Sequence, residues 1–186
     1  MTPAHETACG CCADLLRGRF DRRRFLHLAA GAGAMAAFPS FALARDNYQT
    51  VYEAMLLTCI DPRFPGLTFN YMQGRGMVGK YSQFSLAGSA IGVVAPTFKA
   101  WQPAFWENLG ASIRLHHIPK VIAINHRDCG AARIAYGAER VDGAEKETLT
   151  HKAALAEFRG EVGKRHPALQ VETGLMGLDG KIEMLG

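Results

Sequence analysis

Residues 56–64 read Leu56-Leu57-Thr58-Cys59-Ile60-Asp61-Pro62-Arg63-Phe64, and the fold turns on how this stretch is understood. An apolar run breaks off into a thiol, a carboxylate and a guanidinium at alternate positions. Such groups are costly to bury one at a time, but together, at the mouth of a strand, they suit something charged. Ala54–Cys59 is short and apolar without alternation, the pattern of a strand covered on both faces in a parallel sheet. Pro62 has no amide hydrogen and ends strand pairing there. If the backbone stays extended, residues 59, 61 and 63 share one face.

Working outward, Phe64-Pro65-Gly66 reads as a turn, and Leu67–Gly74 as one or two helical turns of ambiguous type. The glycines of Gly74–Gly79 match G-x-G-x-x-G, but no strand precedes them and no acid follows at the right distance, so they read as loop glycines. Lys80–Leu86 alternates like a strand and runs into Ala87-Gly88-Ser89. Pro103–His117 is an amphipathic helix with Phe105, Leu109, Ile113 and Leu115 near one side, stopped by Pro119. His116 and His117, at its end, suit the negative pole of the helix dipole better than a metal. Lys120–Asn125 is a third strand, again continuously apolar. The turn His126-Arg127-Asp128-Cys129-Gly130 leads into a short helix over Ala131–Tyr136. A charged helix over Thr148–Arg165 and a strand over Leu169–Met176 complete the series. Strands alternating with helices predict an α/β fold: a mostly parallel four-stranded sheet flanked by helices, with right-handed crossovers.

The chain has 186 residues, 48% hydrophobic and 20% charged, which is enough for one well-buried domain. Half of the net charge of +4 lies in residues 1–44, and no cluster of basic residues interleaved with aromatics remains, so nucleic acid is not an expected partner. No apolar run free of Gly and Pro is long enough to span a bilayer. Residues 1–44 instead carry Arg22-Arg23-Arg24-Phe25-Leu26-His27, an Ala/Gly-rich apolar segment and the ending Ala42-Leu43-Ala44. These are the parts of an export signal. The run resembles the twin-arginine type, which implies export of a folded chain to the periplasm or beyond and only transient membrane contact. Cleavage after Ala44 would leave residues 45–186 as the mature domain. Cys9, Cys11 and Cys12 fall in this leader; they lack a fourth ligand at metal-binding spacing.

Cys59 closes the first strand, and His126 and Cys129 follow the third. In open parallel sheets, functional groups gather at the carboxyl ends of strands where the strand order reverses. If the two strands are neighbours, two thiolates and an imidazole converge, a set that suits zinc with one position left open. Three alternatives stand beside it: small buried cysteines with a polar strand end, a Cys59–Cys129 disulfide in an exported chain, and a structural zinc with Asp61 as fourth ligand.

Cys59-Ile60-Asp61-Pro62-Arg63 together with His126-Arg127-Asp128-Cys129-Gly130 resembles the β-class carbonic anhydrases, whose signature is C-x-D-x-R followed by H-x-x-C-G. The similarity runs over residues 54–186 and includes a closing hairpin at VETGLMGLDGKIEML. The resemblance implies Zn2+ on Cys59, His126 and Cys129, and a hydroxide on that zinc attacking carbon dioxide to give bicarbonate. It implies that Asp61 orients the hydroxide and that Arg63 clamps Asp61; in some members the aspartate instead closes the site as a fourth ligand. It also implies a homodimer embraced by N-terminal helices, for which residues 45–53 leave little room. Relatives of this fold hydrolyse carbon disulfide or carbonyl sulfide, and a non-catalytic zinc protein is a further alternative. Pro62 stands where the family has Ser, and Ser85–Ser89 lacks the family's Arg-Asn start.

Overall fold

Ala54–Thr58 forms β1, and every residue of it is buried. The structure, a computed structural model, describes residues 52–185. The leader read at residues 1–44, with Cys9, Cys11, Cys12 and the cleavage after Ala44, lies outside the described residues. After β1 come α1 (Pro65–Gly74), β2 (Tyr81–Ser85), α2 (Ala90–Val94), a 3₁₀ segment (Pro96–Trp101) and α3 (Gln102–His116). Then follow β3 (Lys120–His126), α4 (Gly130–Tyr136), a 3₁₀ turn (Ala138–Arg140), α5 (Ala144–Arg165), β4 (Gln170–Met176) and β5 (Ile182–Met184).

The strand order is β2-β1-β3-β4-β5. β1 pairs in parallel with β2 and β3, and β3 with β4; β5 returns antiparallel to β4. The four expected parallel strands are thus present, and the C-terminal hairpin adds a fifth. Alternation along the strands sends side chains to two separate layers. Leu56, Ile122 and Ile124 pack under α1 with Phe64, Met72 and Met176. Leu57, Val121 and Ala123 face Phe105, Leu109, Leu155 and Phe158 on the opposite side.

Several boundaries differ from the sequence reading. Phe64-Pro65-Gly66 is not a free turn: Pro65 begins α1, where its missing amide and fixed φ suit the first helical position. The ambiguous Leu67–Gly74 segment is the body of that helix. His126 is the last residue of β3 rather than a loop residue beyond it. Residues 59, 61 and 63 do not share an extended face, because the chain turns and the Phe64 amide donates to the Asp61 carbonyl at 3.1 Å. α2 has the sequence AIGVV and is wholly buried, a helix that the sequence reading does not contain. α3 buries Phe105, Leu109 and Ser112, spaced one helical turn apart, and ends on His117 in the left-handed region (φ 51°). Among the described residues, no helix is long and apolar enough to cross a membrane.

From β1 the chain moves outward to the edge strand β2, then crosses back to β3 on the other side of β1. Strand order therefore reverses between β1 and β3, and the crevice at their carboxyl ends is where such sheets place a site.

Candidate metal centre

Cys59 lies one residue beyond β1, His126 ends β3, and Cys129 caps α4. All three are buried, and the ligand atoms they offer lie within 4.8 Å of one another. The two cysteines are free thiols, not a disulfide. The backbone takes this path because Asp128 adopts φ 56°, bending the turn so that Cys129 comes back towards β1. Asp tolerates that region better than most residues.

The His126 ring is held from two sides. Nδ1 donates to the Arg127 carbonyl oxygen at 2.8 Å, and the ring stacks on Phe64 with centroids 4.0 Å apart. Nε2 is buried and has no hydrogen-bond partner. An orphaned imidazole nitrogen, aimed at two thiols and with its other nitrogen committed to a carbonyl, is the arrangement a metal-binding histidine requires. The donor set fits zinc: two sulfurs, one nitrogen and no fourth protein ligand in the group.

Charge in the cluster is uneven. The Cys59 thiol is pushed well below its ordinary value, first by the hydrogen bond from Cys129, against burial, and then by His126 and the backbone amides of Gly88 and Asp61. The Gly88 amide donates to the Cys59 sulfur at 3.2 Å. Cys129 moves the opposite way, raised by its bond to Cys59 and by burial. Burial alone would lower His126, but the neighbouring Cys59 sulfur and the Arg127 carbonyl outweigh it and raise the imidazole.

Asp61 and Arg63 meet through the turn. Arg63 donates from Nε and Nη2 to the two Asp61 carboxylate oxygens at 3.0 and 2.7 Å, and from its own amide at 3.0 Å. This fork holds the Asp61 carboxyl down at about 2. With both oxygens so engaged, Asp61 stays outside the cysteine–histidine group.

Sequence reasoning missed the second half of this network. Arg63 also donates from Nη1 to the Asp128 carboxylate at 2.8 Å and from Nη2 to the Asp128 carbonyl at 3.0 Å. Glu147, on α5, accepts from the Asp128 amide at 2.5 Å and from Arg127 at 3.2 Å. One carboxylate thus pins the turn that carries Cys129. Glu147 sits in the charged first turn of a helix, where an acid is ordinary, so its spacing gave no signal. A cavity of about 580 Å³ opens beside this turn, lined by Arg127, Cys129, Arg133, Glu147 and Leu178 among others.

No protein-family model matches the chain. It is 30% identical over 145 residues to the uncharacterized protein RC0076 of Rickettsia conorii (strain ATCC VR-613 / Malish 7), covering 77% of this chain and 78% of that one. An uncharacterized protein of Rickettsia bellii (strain RML369-C) is 31% identical over 145 residues, covering 77% and 88%. Among solved structures, a tetrameric β-carbonic anhydrase of the ascomycete Sordaria macrospora superposes with a TM-score of 0.52 at 14% identity, over 88% of this chain and 98% of that one. The Coccomyxa β-carbonic anhydrase in complex with acetazolamide gives 0.50 at 14% identity, over 90% and 87%. At these identities the likeness is one of fold.

Proposed function

The chain belongs to one family with the two rickettsial proteins, and from that premise, joined to its β-carbonic anhydrase fold, we propose that it is a zinc-dependent enzyme hydrating carbon dioxide to bicarbonate. The observation that carries the reading is the buried Cys59–His126–Cys129 group with the unpartnered His126 Nε2 at its centre.

Cys59, His126 and Cys129 would hold the ion. The chemistry zinc supplies in a three-ligand set is Lewis acidity towards water, which yields a nucleophile near neutral pH. Asp61 is kept ionised by Arg63, so it can only accept hydrogen bonds. An acceptor of that kind would take a hydrogen bond from the O–H of the attacking oxygen and so turn its lone pair towards the electrophilic carbon of carbon dioxide. Arg63, itself braced by Asp128, stops Asp61 from swinging into the ligand set. That bracing favours turnover over a closed, non-catalytic zinc site.

Membrane-inlet mass spectrometry of oxygen-18 exchange between carbon dioxide and water tests the reading on zinc-replete protein beginning at Arg45. Exchange is expected above buffer and lost in Cys59→Ser. Zinc-replete protein that exchanges no faster than buffer sinks it, and hydrolysis of carbon disulfide or carbonyl sulfide by the same sample would redirect it to those analogues. Export through residues 1–44 to the periplasm belongs to the same proposal. A reporter that acts only after export, fused behind residue 44, should lose its signal when Arg22, Arg23 and Arg24 are replaced by Lys.

A further inference from the structure

Cys59 receives a hydrogen bond from a loop whose backbone is under strain. Gly88, with φ +79°, presents its amide to the sulfur at 3.2 Å. A Cβ built on Gly88 would lie 3.0 Å from the Ala131 Cβ and 3.2 Å from that of Ile91, so only glycine fits this approach. The next residue, Ser89, is fully buried and holds φ 52° and ψ −119°. That conformation is unfavourable for a non-glycine residue and persists only where surrounding contacts enforce it.

The enforcing contacts come from below. Ser89 Oγ donates to the Leu57 carbonyl at 3.2 Å. Asn125, the neighbour of His126 on β3 and fully buried, accepts from the Ala90 amide through Oδ1 at 3.1 Å. With Oδ1 so used, Nδ2 of Asn125 is the donor towards His151 Nδ1, 3.0 Å away. His151, on α5, is fully buried as well, and must then be neutral with its proton on Nε2, which has no partner. Burial, followed by the nearby charges of His126 and Arg127, depresses its pKa to about 4, in keeping with a neutral ring. An apolar residue at either position would fill the core without desolvating an amide and an imidazole.

We propose that Asn125 and His151 are positioning residues of the metal centre, forming a buried tie that locks residues 87–90 so that the Gly88 N–H stays on the Cys59 sulfur. The inference rests on the zinc reading above and extends it. Two thiolates formally neutralise a dication and blunt its acidity towards water. An amide donated to one sulfur withdraws electron density from it, which restores part of that acidity. The tie reaches the ion only through the loop, so neither residue touches substrate.

The test uses cadmium-113 as the probe metal in the protein labelled with nitrogen-15 glycine. Cadmium stoichiometry is measured first, and then scalar coupling from the metal to a glycine amide proton across the N–H···S bond. Expected is one coupled glycine, Gly88, in the wild type. Coupling should be lost in Asn125→Leu and His151→Leu, and kept in His151→Gln, whose side-chain oxygen can accept the same Asn125 N–H. The sulfur-to-cobalt charge-transfer band of the cobalt(II) protein should move to lower energy in the two Leu variants alone. A merely structural tie would lower stability in all three variants without moving the band. If Asn125→Leu does not fold, Asn125→Ser takes its place with the same expected loss. Bound cadmium with no coupled glycine in the wild type, or coupling that survives at residue 125, overturns the proposal and leaves the zinc reading intact. Failure to bind cadmium overturns both.

Discussion

Arg63 holds Asp61 by a two-pronged fork, Nε at 3.0 Å and Nη2 at 2.7 Å to opposite carboxylate oxygens. The fork is planar and matched to a carboxylate, which a lysine ammonium cannot reproduce. Arg63→Lys should therefore leave zinc content unchanged and lower carbon dioxide hydration by about 10- to 100-fold. Stopped-flow hydration with metal analysis on the same sample checks this; wild-type rates in the variant would remove Arg63 from the account.

The same fork makes a prediction about pH. Asp61 titrates at about 2 against an ordinary 3.8. A carboxyl depressed on folding stabilises the folded state above its ordinary pKa, and that contribution disappears as pH falls through the lower value. Asp61 is consequently ionised throughout the neutral range, so any acid limb in the activity profile there has another origin. Carbon-13 NMR of labelled aspartate should show a midpoint near 2 in the wild type, moving up towards 3.8 in Arg63→Ala. An unchanged midpoint in the variant would mean that the guanidinium is not the cause.

Glu147 binds the Asp128 amide with one oxygen and Arg127 with the other. Glu147→Gln keeps the shape but leaves one oxygen to accept, so one of the two bonds is lost and Arg127 is short of its counter-charge. A loss of about 1–3 kcal/mol in urea unfolding is expected, with weaker zinc retention against a chelator because the Cys129 turn loosens. Unaltered stability and zinc retention would show that the turn holds itself.

His151 supplies a stability signature. Its folded pKa of about 4 lies below the ordinary 6.5, so the unfolded chain takes up the proton first. Stability from this group is complete above pH 6.5 and declines as pH falls towards 4, by up to about 3 kcal/mol. Denaturation of wild type and His151→Gln across that range should show the decline flattened in the variant. Parallel curves would place the proton uptake elsewhere.

What the sequence disclosed and what it hid divide along physical lines. Cys59, Asp61, Arg63, His126 and Cys129 were legible because reactive side chains interrupt continuous apolar strands, and periodicity marks strand ends well. Asp128 was quoted within the motif, yet its hold on Arg63 spans 65 residues and has no local trace. Asn125 and His151, 26 residues apart, meet only because α5 packs over β3. α2 escaped because AIGVV is short, apolar and uncapped, so helix and strand patterns fit it equally. The extended face assumed for residues 59, 61 and 63 failed at Pro62, where the chain turns and brings Arg63 back onto Asp61 instead.

Everything proposed for this chain rests on Cys59, His126 and Cys129 holding a zinc ion that turns over carbon dioxide. The most direct measurement is stopped-flow hydration while metal-free protein is titrated with zinc. Activity should rise in proportion to zinc bound and level off at one ion per chain, with no rise in Cys59→Ser. Stoichiometric zinc binding with hydration fixed at the buffer rate would contradict it.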